Sequence, residues 1–398
     1  MKPCCSASPN SISRREIGIL KPLQLSRRIL DSRLTQLAAR RFIKVKLAKA
    51  APITCIDIDN NEHSFLLCGA SNGSIGLCNL HLVDDGTSHK WNLSNPGFPF
   101  SHDFMVTDCQ WYPQDNQIGI TSSMDKTVKV FDLPSCSIID TFKYDKPPLQ
   151  IHWNELDSNT PLIAVAHNSS NVPLLDLRVG ETSQHLRSKK SSICAVRWCP
   201  TRRHILAVGD IEGCVSFWDV RSGRSALRRE KTTKGPVGGI KFSSNGVYSV
   251  VVAASRVVSI WDIDSWKRIA KHKINMTNLD LNRDNPCVRF DISDEGDSLR
   301  IAVPCNEDIA YLNYNNGEFT ESRMRGHISN VHAVRFRRHY QQVNFSSDFF
   351  DLFKNRLKIR INCSALQLLE RSNRAGMDGR IRLSAARVFA GSAGSFEG

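Results

Sequence analysis

Thr107–Leu133 reads TDCQWYPQDNQIGITSSMDKTVKVFDL. An alternating stretch ends on the aromatic pair Trp111-Tyr112 and Pro113, then gives way to a turn. A run of small residues follows, Ile120-Thr121-Ser122-Ser123. A tight polar turn at Asp125-Lys126 leads into VKVFD, Val128–Asp132, with an apolar residue at every second position. Period-two alternation broken by polar turns predicts strand, turn and strand in an antiparallel meander.

The same grammar returns at Ile193–Val220 and Val237–Ile263, with weaker copies at Ile53–Leu80, Leu149–Leu177 and Val288–Tyr314. The residues closing each copy, Asn79, Asp132, Asp176, Asp219, Asp262 and Asn313, are 53, 44, 43, 43 and 51 residues apart. A period of forty-odd residues is that of a propeller blade of four strands. KVFDL, FWDVR and IWDID, with Gly326-His327 ahead of VHAVRF, resemble the WD-repeat family. The resemblance implies an all-β WD-repeat propeller.

A single small sheet cannot cover both its faces, and stacking in a ring does so. Val128, Val130, Val215, Phe217, Val258 and Ile260 are therefore expected between blades. So are the once-per-repeat aromatics Trp111, Trp153, Trp198, Trp218 and Trp261. Seven positions before each closing residue, Asn72, Asp125, Glu212 and Asn306 are expected in the tight turn. Ser169 and Ser255 depart from the pattern. In the family this turn acid bonds a His–Ser network, which the chain keeps in part.

Six repeats are readable and a seventh begins at Gly326. Its expected end is Met377–Leu383, with Ser384-Ala385 in place of Trp-Asp, so seven blades are expected. The chain divides into a basic helical arm (1–41), the propeller (42–338), a segment that does not read as blade strands (339–376), a candidate end of blade seven (377–390) and a tail (391–398). The segment 339–376 reads as an insertion or as retained non-coding sequence. Ile43, Val45 and Leu47 alternate with lysines, which predicts a short strand; the family resemblance implies that it completes the last blade, removing a free sheet edge.

The chain has 53 Lys and Arg against 39 Asp and Glu, a net charge of +14. The first fifty residues carry +10 and residues 321–398 carry +8, leaving −4 for 51–320. Nucleic-acid surfaces need clustered Lys and Arg, so little direct nucleic-acid binding is expected of the central body. The longest apolar run, Val250–Ala254, is far short of the ~20 residues of a membrane helix, and no membrane partner is expected. The 13 cysteines are odd in number, scattered and often inside apolar runs, as expected of reduced thiols in a nuclear or cytosolic protein.

Two features point to function. Leu175-Asp176-Leu177-Arg178 and Trp218-Asp219-Val220-Arg221 end consecutive repeats. In each, Asp and Arg are two apart and share a strand face. They either tie a turn or present two guanidiniums on one rim. The second feature is an amphipathic helix candidate, Ser26–Ala39, carrying Arg27, Arg28, Ile29, Leu30 and Leu34. Its Arg-rich, acid-poor composition also suits a transit peptide.

The WDxR pair resembles that of cullin-RING ligase substrate receptors. SRRILDSRL (Ser26–Leu34), Trp111–Asp132 and FWDVR together resemble the Cockayne syndrome A protein family over roughly residues 23–336. The resemblance thins after about residue 264, and that family's acidic tail is replaced here by a basic one. It implies a nuclear, non-catalytic substrate receptor in transcription-coupled nucleotide-excision repair. Its partners would be the damaged-DNA-binding adaptor subunit and cullin-RING ligase, the transcription-repair coupling ATPase and RNA polymerase II. It assigns adaptor binding to Arg27, Arg28, Ile29, Leu30, Leu34, Asp176, Arg178, Trp218, Asp219 and Arg221. No catalytic residue, cofactor or metal site is expected: there is no GxSxG, P-loop, HExxH or CxxC, and His327 reads as structural. Two other readings stand beside this one. One is a generic WD-repeat scaffold, for instance in RNA processing, and the other a direct DNA-damage binder.

Overall fold

The structure is a computed structural model. It describes residues 41–45, 51–80, 101–135, 137–156, 162–188, 191–223, 225–275, 286–294, 298–315, 317–324, 330–337, 342–350 and 357–361. Of these, 41–45, 342–350 and 357–361 are described as backbone.

Every described element is a strand. The first is β1 (Arg41–Val45). Blade 1 has three strands, β2 (Ile53–Ile58), β3 (Phe65–Ala70) and β4 (Ile75–Asn79). Blade 2 is β5 (Val106–Trp111), β6 (Ile118–Ser123), β7 (Thr127–Asp132) and β8 (Ser137–Lys143). Blade 3 is β9 (Pro148–Trp153), β10 (Leu162–His167), β11 (Asn171–Asp176) and β12 (Glu181–Arg187). Blade 4 is β13 (Ile193–Trp198), β14 (Ile205–Asp210), β15 (Cys214–Asp219) and β16 (Arg228–Lys231). Blade 5 is β17 (Val237–Phe242), β18 (Tyr248–Ala253), β19 (Val257–Asp262) and β20 (Lys267–Lys273). Blade 6 is β21 (Asp291–Ser293), β22 (Leu299–Cys305), β23 (Asp308–Asn315) and β24 (Glu318–Met324). All six are antiparallel meanders.

The expected seven blades are corrected by this architecture: six blades are built from the repeats, and no helix stands among the described elements. Beyond them, β25 (Val331–Arg337) pairs with β26 (Gln342–Phe350), which pairs with β27 (Leu357–Ile361), which pairs with β1. This last sheet is composite, drawn from both ends of the chain. Its strands β26 and β27 fall within 339–376, not at the expected 377–383, which lies outside the described residues. The stretch 26–39 also lies outside them. Pairing of β1 with β27 runs from Arg41 opposite Ile361 to Val45 opposite Leu357. The N-terminal strand thus closes the last sheet, as the family resemblance implied.

The cores lie between sheets. One cluster joins Leu174 and Leu186 of blade 3 to Trp198, Val208 and Trp218 of blade 4. The next joins Val215 and Phe217 to Val237, Val251 and Trp261 of blade 5. Val258 and Ile260 pack on Phe290 and Ile301 of blade 6. Val334 and Phe336 of β25 pack on Ile309 and Tyr311 of blade 6, while Ala333 joins the blade 1 cluster. Residues in alternate register thus serve the two flanking interfaces, so a one-residue slip would expose both. Two positions demand glycine: a Cβ at Gly69 would stand 2.5 Å from Val106, and one at Gly209 2.4 Å from Val237. There the second strand of one blade approaches the first strand of the next.

Each innermost strand has one edge facing the central channel, with N–H and C=O groups that its own sheet does not pair. Neighbouring blades satisfy them in a repeated way. Near the start of the first strand a register shift bulges out one residue in six of the seven innermost strands. Three of the bulged side chains donate forward to the next blade's carbonyls. Thr54 Oγ1 reaches Val106 O at 2.6 Å, Thr107 Oγ1 reaches Pro148 O at 2.7 Å and Cys194 Sγ reaches Val237 O at 3.1 Å. Further along, a side chain at an equivalent position of four innermost strands accepts the next blade's N–H. Trp111 N donates to Asp57 at 3.0 Å, Trp153 N to Gln110 at 3.1 Å, Trp198 N to His152 Nδ1 at 3.2 Å and Phe336 N to Asp291 at 2.9 Å.

The turns on the opposite rim carry the family's acid network in blade 2. His102 Nδ1 and Nε2 lie 2.8 Å from Asp125 Oδ2 and Thr121 Oγ1, and Thr127 Oγ1 donates to Asp125 at 2.6 Å. In blade 4 the expected Glu212 is exposed. Its work is done by buried Asp210, which accepts Ser191 Oγ at 2.6 Å, Cys214 N at 2.7 Å and Arg229 Nη2 at 2.9 Å. Nine described cysteines are free thiols, seven of them buried.

Candidate functional site: a rim and the channel mouth

The third strands β11 and β15 end on Asp176 and Asp219. In each turn the chain reverses through a glycine in the left-handed region, Gly180 (φ 72°) and Gly223 (φ 57°). Each Asp accepts a bidentate clamp from the arginine two residues on. Arg178 donates from Nε at 3.2 Å and Nη2 at 3.0 Å, and Arg221 from Nε at 3.0 Å and Nη2 at 2.7 Å. Those bonds hold both carboxyls below the usual carboxylate range. The guanidinium ends remain outside, with 55% and 66% of the Arg178 and Arg221 side chains exposed.

Gln184 Nε2 on β12 of blade 3 donates to Val220 O in the blade 4 turn at 3.0 Å, tying the two blades together. Equivalent positions in adjacent blades thus bring Arg178 and Arg221 to the same rim. The turn-tying geometry and the presented guanidiniums coexist. Blade 5 lacks the arginine and ties Asp262 to Ser265 N at 3.1 Å instead.

Trp218 requires a correction as a contact residue. It is 4% exposed, lies in the cluster between blades 3 and 4, and donates its Nε1 to Ser216 Oγ at 3.0 Å. A buried indole whose only donor is used has nothing to present to a partner; its role is packing. Arg27, Arg28, Ile29, Leu30 and Leu34 lie outside the described residues.

The same rim opens at its centre into a cavity of about 460 Å³ at the mouth of the channel. Its walls are polar: Asp57, Gln110, Arg197, Lys241, Asp291 and Arg335 come from six innermost strands, and Glu155 from the loop after β9. Asp57, Gln110, Arg197 and Lys241 are each the last residue but one of their strand. The sequence reading missed this ring because the residues at that position share no chemistry.

Arg335 clasps two acids, with Asp57 at 3.1 Å and Asp291 at 3.5 Å, and donates Nε to Ile56 O at 3.2 Å. Although burial opposes charge, Asp57 and Asp291 hold its guanidinium more firmly protonated than an ordinary arginine. On the other side Lys241 Nζ stands 3.5 Å from Asp291 and Arg197 Nη2 stands 3.7 Å from Glu155. Burial, with Arg197 and Arg335 nearby, pushes Lys241 down to about 7. His152, 2% exposed, is pushed well below the usual imidazole value, first by burial and then by Arg197, Lys241 and Arg335.

Comparison with known proteins adds the following. The profile of the Nucleolar protein 10-like N-terminal domain, a β-propeller, matches residues 165–291. A WD domain, G-beta repeat profile matches residues 96–132. WD repeat-containing protein ATCSA-1 of Arabidopsis thaliana is 19% identical over 84% of this chain and 91% of its own length. Radiation-sensitive protein 28 of Saccharomyces cerevisiae is 32% identical, but over 33% of this chain and 27% of its own. Ribosome biogenesis protein YTM1 of the same yeast is 33% identical over 31% of this chain and 27% of its own. The chain therefore spans most of the first relative and under a third of the other two. Repeat grammar, sheet topology and these matches agree at one level: the chain is a WD-repeat protein, built as an all-β propeller.

Proposed function

We propose that this protein is a non-catalytic propeller scaffold in a nuclear RNA-processing assembly, in the manner of ribosome-biogenesis WD proteins. The observation that carries the reading is the Nucleolar protein 10-like match, which runs from β10 in blade 3 to β21 in blade 6. The name of the YTM1 relative points the same way. Sedimentation of the tagged full-length chain from nuclear extract tests it. Co-migration with large ribonucleoprotein particles, abolished by ribonuclease, is expected. Migration in ribonuclease-insensitive complexes alone would overturn the reading.

A second reading is favoured by a different observation. Arg178 and Arg221 project from one rim of adjacent blades, and the ATCSA-1 match covers most of both chains. On this reading the protein is a substrate receptor of a cullin-RING ligase in transcription-coupled repair, with the rim facing the adaptor. The coupling ATPase and RNA polymerase II would be its other partners. Capture of the adaptor subunit by the wild-type chain, lost in Arg178→Ala/Arg221→Ala, would favour it over the first. The −4 charge of residues 51–320 disfavours direct lesion binding by the propeller.

A further inference from the structure

We propose that the channel mouth is a binding site for an oxyanion, a carboxylate or phosphate group seated between Arg197 and Lys241. The inference is independent of which assembly the propeller serves.

It rests on which groups around the cavity are already committed. Asp57 and Asp291 each accept a backbone N–H from a neighbouring strand, and both hold Arg335. Arg335 spends its remaining Nε on Ile56 O. That half of the wall is a closed clasp. The other half has donors in excess. Arg197 and Lys241 approach their carboxylates at 3.7 Å and 3.5 Å, beyond the 2.7–2.9 Å of a charge-assisted hydrogen bond. Behind the wall, beside Glu155, stands a further donor, His152. Its Nδ1 accepts from Trp198 N, so the neutral ring carries its proton on Nε2. That Nε2 is buried without a hydrogen-bond partner, 3.6 Å from Glu155 Oε1.

His152 on β9 and Arg197 on β13 therefore share one carboxylate, that of the partly exposed Glu155, while Lys241 on β17 has beside it only Asp291, which Arg335 already holds. Buried donors left unpaired are costly, and the deficit here is of acceptors. The low pKa of Lys241 has the same origin, since burial and two nearby guanidiniums disfavour its charge. An incoming oxyanion supplies acceptors and negative charge together. Planar or tetrahedral oxygens suit the Arg197 fork, and a cavity of about 460 Å³ has room for the group and the atoms that carry it. The group could be a free anion or an acidic side chain of a docked protein. Leu156, 42% exposed on the cavity's edge, offers apolar footing to the latter.

Calorimetric titration of the full chain separates the two sources. The probes are pyrophosphate, a capped Gly-Glu-Glu-Gly peptide and its Gly-Gln-Gln-Gly counterpart, in about 0.15 M salt to screen surface charge. One of the two anionic probes is expected to bind one-to-one with a Kd at or below about 1 mM. Pyrophosphate alone identifies a free anion, and the Glu peptide without its Gln counterpart identifies a side chain. Arg197→Gln and Lys241→Met should each weaken binding about tenfold or more, whereas Lys271→Gln on the outer strand β20 should not.

A second measurement needs no variant. Around Lys241 stand Asp57 on β2, His152 and Glu155 from β9 and its loop, Arg197 on β13, Asp291 on β21 and Arg335 on β25. Burial and the neighbouring guanidiniums push Lys241 down to about 7. Wild-type affinity should fall about tenfold between about pH 6 and pH 8.5 as Lys241 loses its proton, although pyrophosphate gains charge over that range. No binding by either anion, equal loss in Lys271→Gln, or affinity that rises with pH would overturn the proposal.

Discussion

In blade 2 the turn between the second and third strands is held by Asp125, His102 and Thr127. In blade 4 the corresponding turn is held by Asp210, Ser191 and Arg229. The acid has moved two places back, from the turn itself to the end of the preceding strand, where blade 2 has Ser123. Both acids accept a backbone N–H of the turn or following strand, Thr127 N at 2.9 Å and Cys214 N at 2.7 Å. Both reach a side chain on the segment arriving from the previous blade, His102 or Ser191. They differ in what else surrounds them. The His102 side chain is completely buried, whereas Arg229 is 30% exposed. What persists between blades is a buried carboxylate that ties the turn to the incoming chain, and its address and partner vary.

Four measurements would break or sharpen this comparison. Asp125→Ala should cost the most, about 3–5 kcal/mol in equilibrium unfolding, because it strands a buried partner that water cannot reach. Asp210→Ala should cost less, about 1–3 kcal/mol, since the partly exposed Arg229 can rehydrate. Equal losses in the two variants would mean that partner burial is not what separates the blades.

The third measurement is a pH series. Burial pushes the Asp125 carboxyl up, but hydrogen bonds from His102 and Thr127 outweigh it and hold it far below the usual range. A carboxyl depressed in the folded state contributes stability above its unfolded pKa of about 3.9, lost as pH falls toward the folded value. The advantage of wild type over Asp125→Asn should therefore shrink between about pH 5 and pH 2. An unchanged gap would remove these hydrogen bonds to the carboxylate from the account. The smallest effect is expected from Arg221→Ala. Blade 2 makes the corresponding turn without an arginine, tying Ser135 N to Asp132 at 3.1 Å. Thermal unfolding should move by no more than about 0.5 kcal/mol equivalent.

Much of the fold was legible because a blade's core repeats in register. The closing residues Asp132, Asp176, Asp219 and Asp262 fall at the ends of β7, β11, β15 and β19. Trp111, Trp153, Trp198 and Trp261 are each at most 2% exposed. The locks were less legible. His102 stands 23 residues before Asp125, outside the copy as its strands define it. Glu212 occupied the expected position, and its exposure shows that spacing identifies a place in a turn and not the burial that gives it a role. The channel ring was invisible for another reason. Asp57, Gln110, His152, Arg197, Lys241, Asp291 and Arg335 have only their position in common, and a mixture of acids, bases and amides averages to no motif. The arginine pair was legible because both its residues and its spacing repeat. Trp218 was misassigned as a contact because its neighbours in sequence, and not its packing, suggested the role.

The pairing of β1 with β27 sets residue 41 opposite residue 361. Sequence separation of that size makes closure a late event in the life of the chain. At the ~5–20 residues per second of synthesis, β1 waits roughly 15–60 s for its partner to be made. During that time the six blades can form as neighbouring hairpins, but the flank of blade 1 that β25 will cover stays bare. Long-range pairing also lags behind local contacts for entropic reasons. Nascent chains stalled short of residue 361 should therefore be more open to proteases and chaperones than released ones, and a truncation in the last sheet would leave the ring in that state permanently.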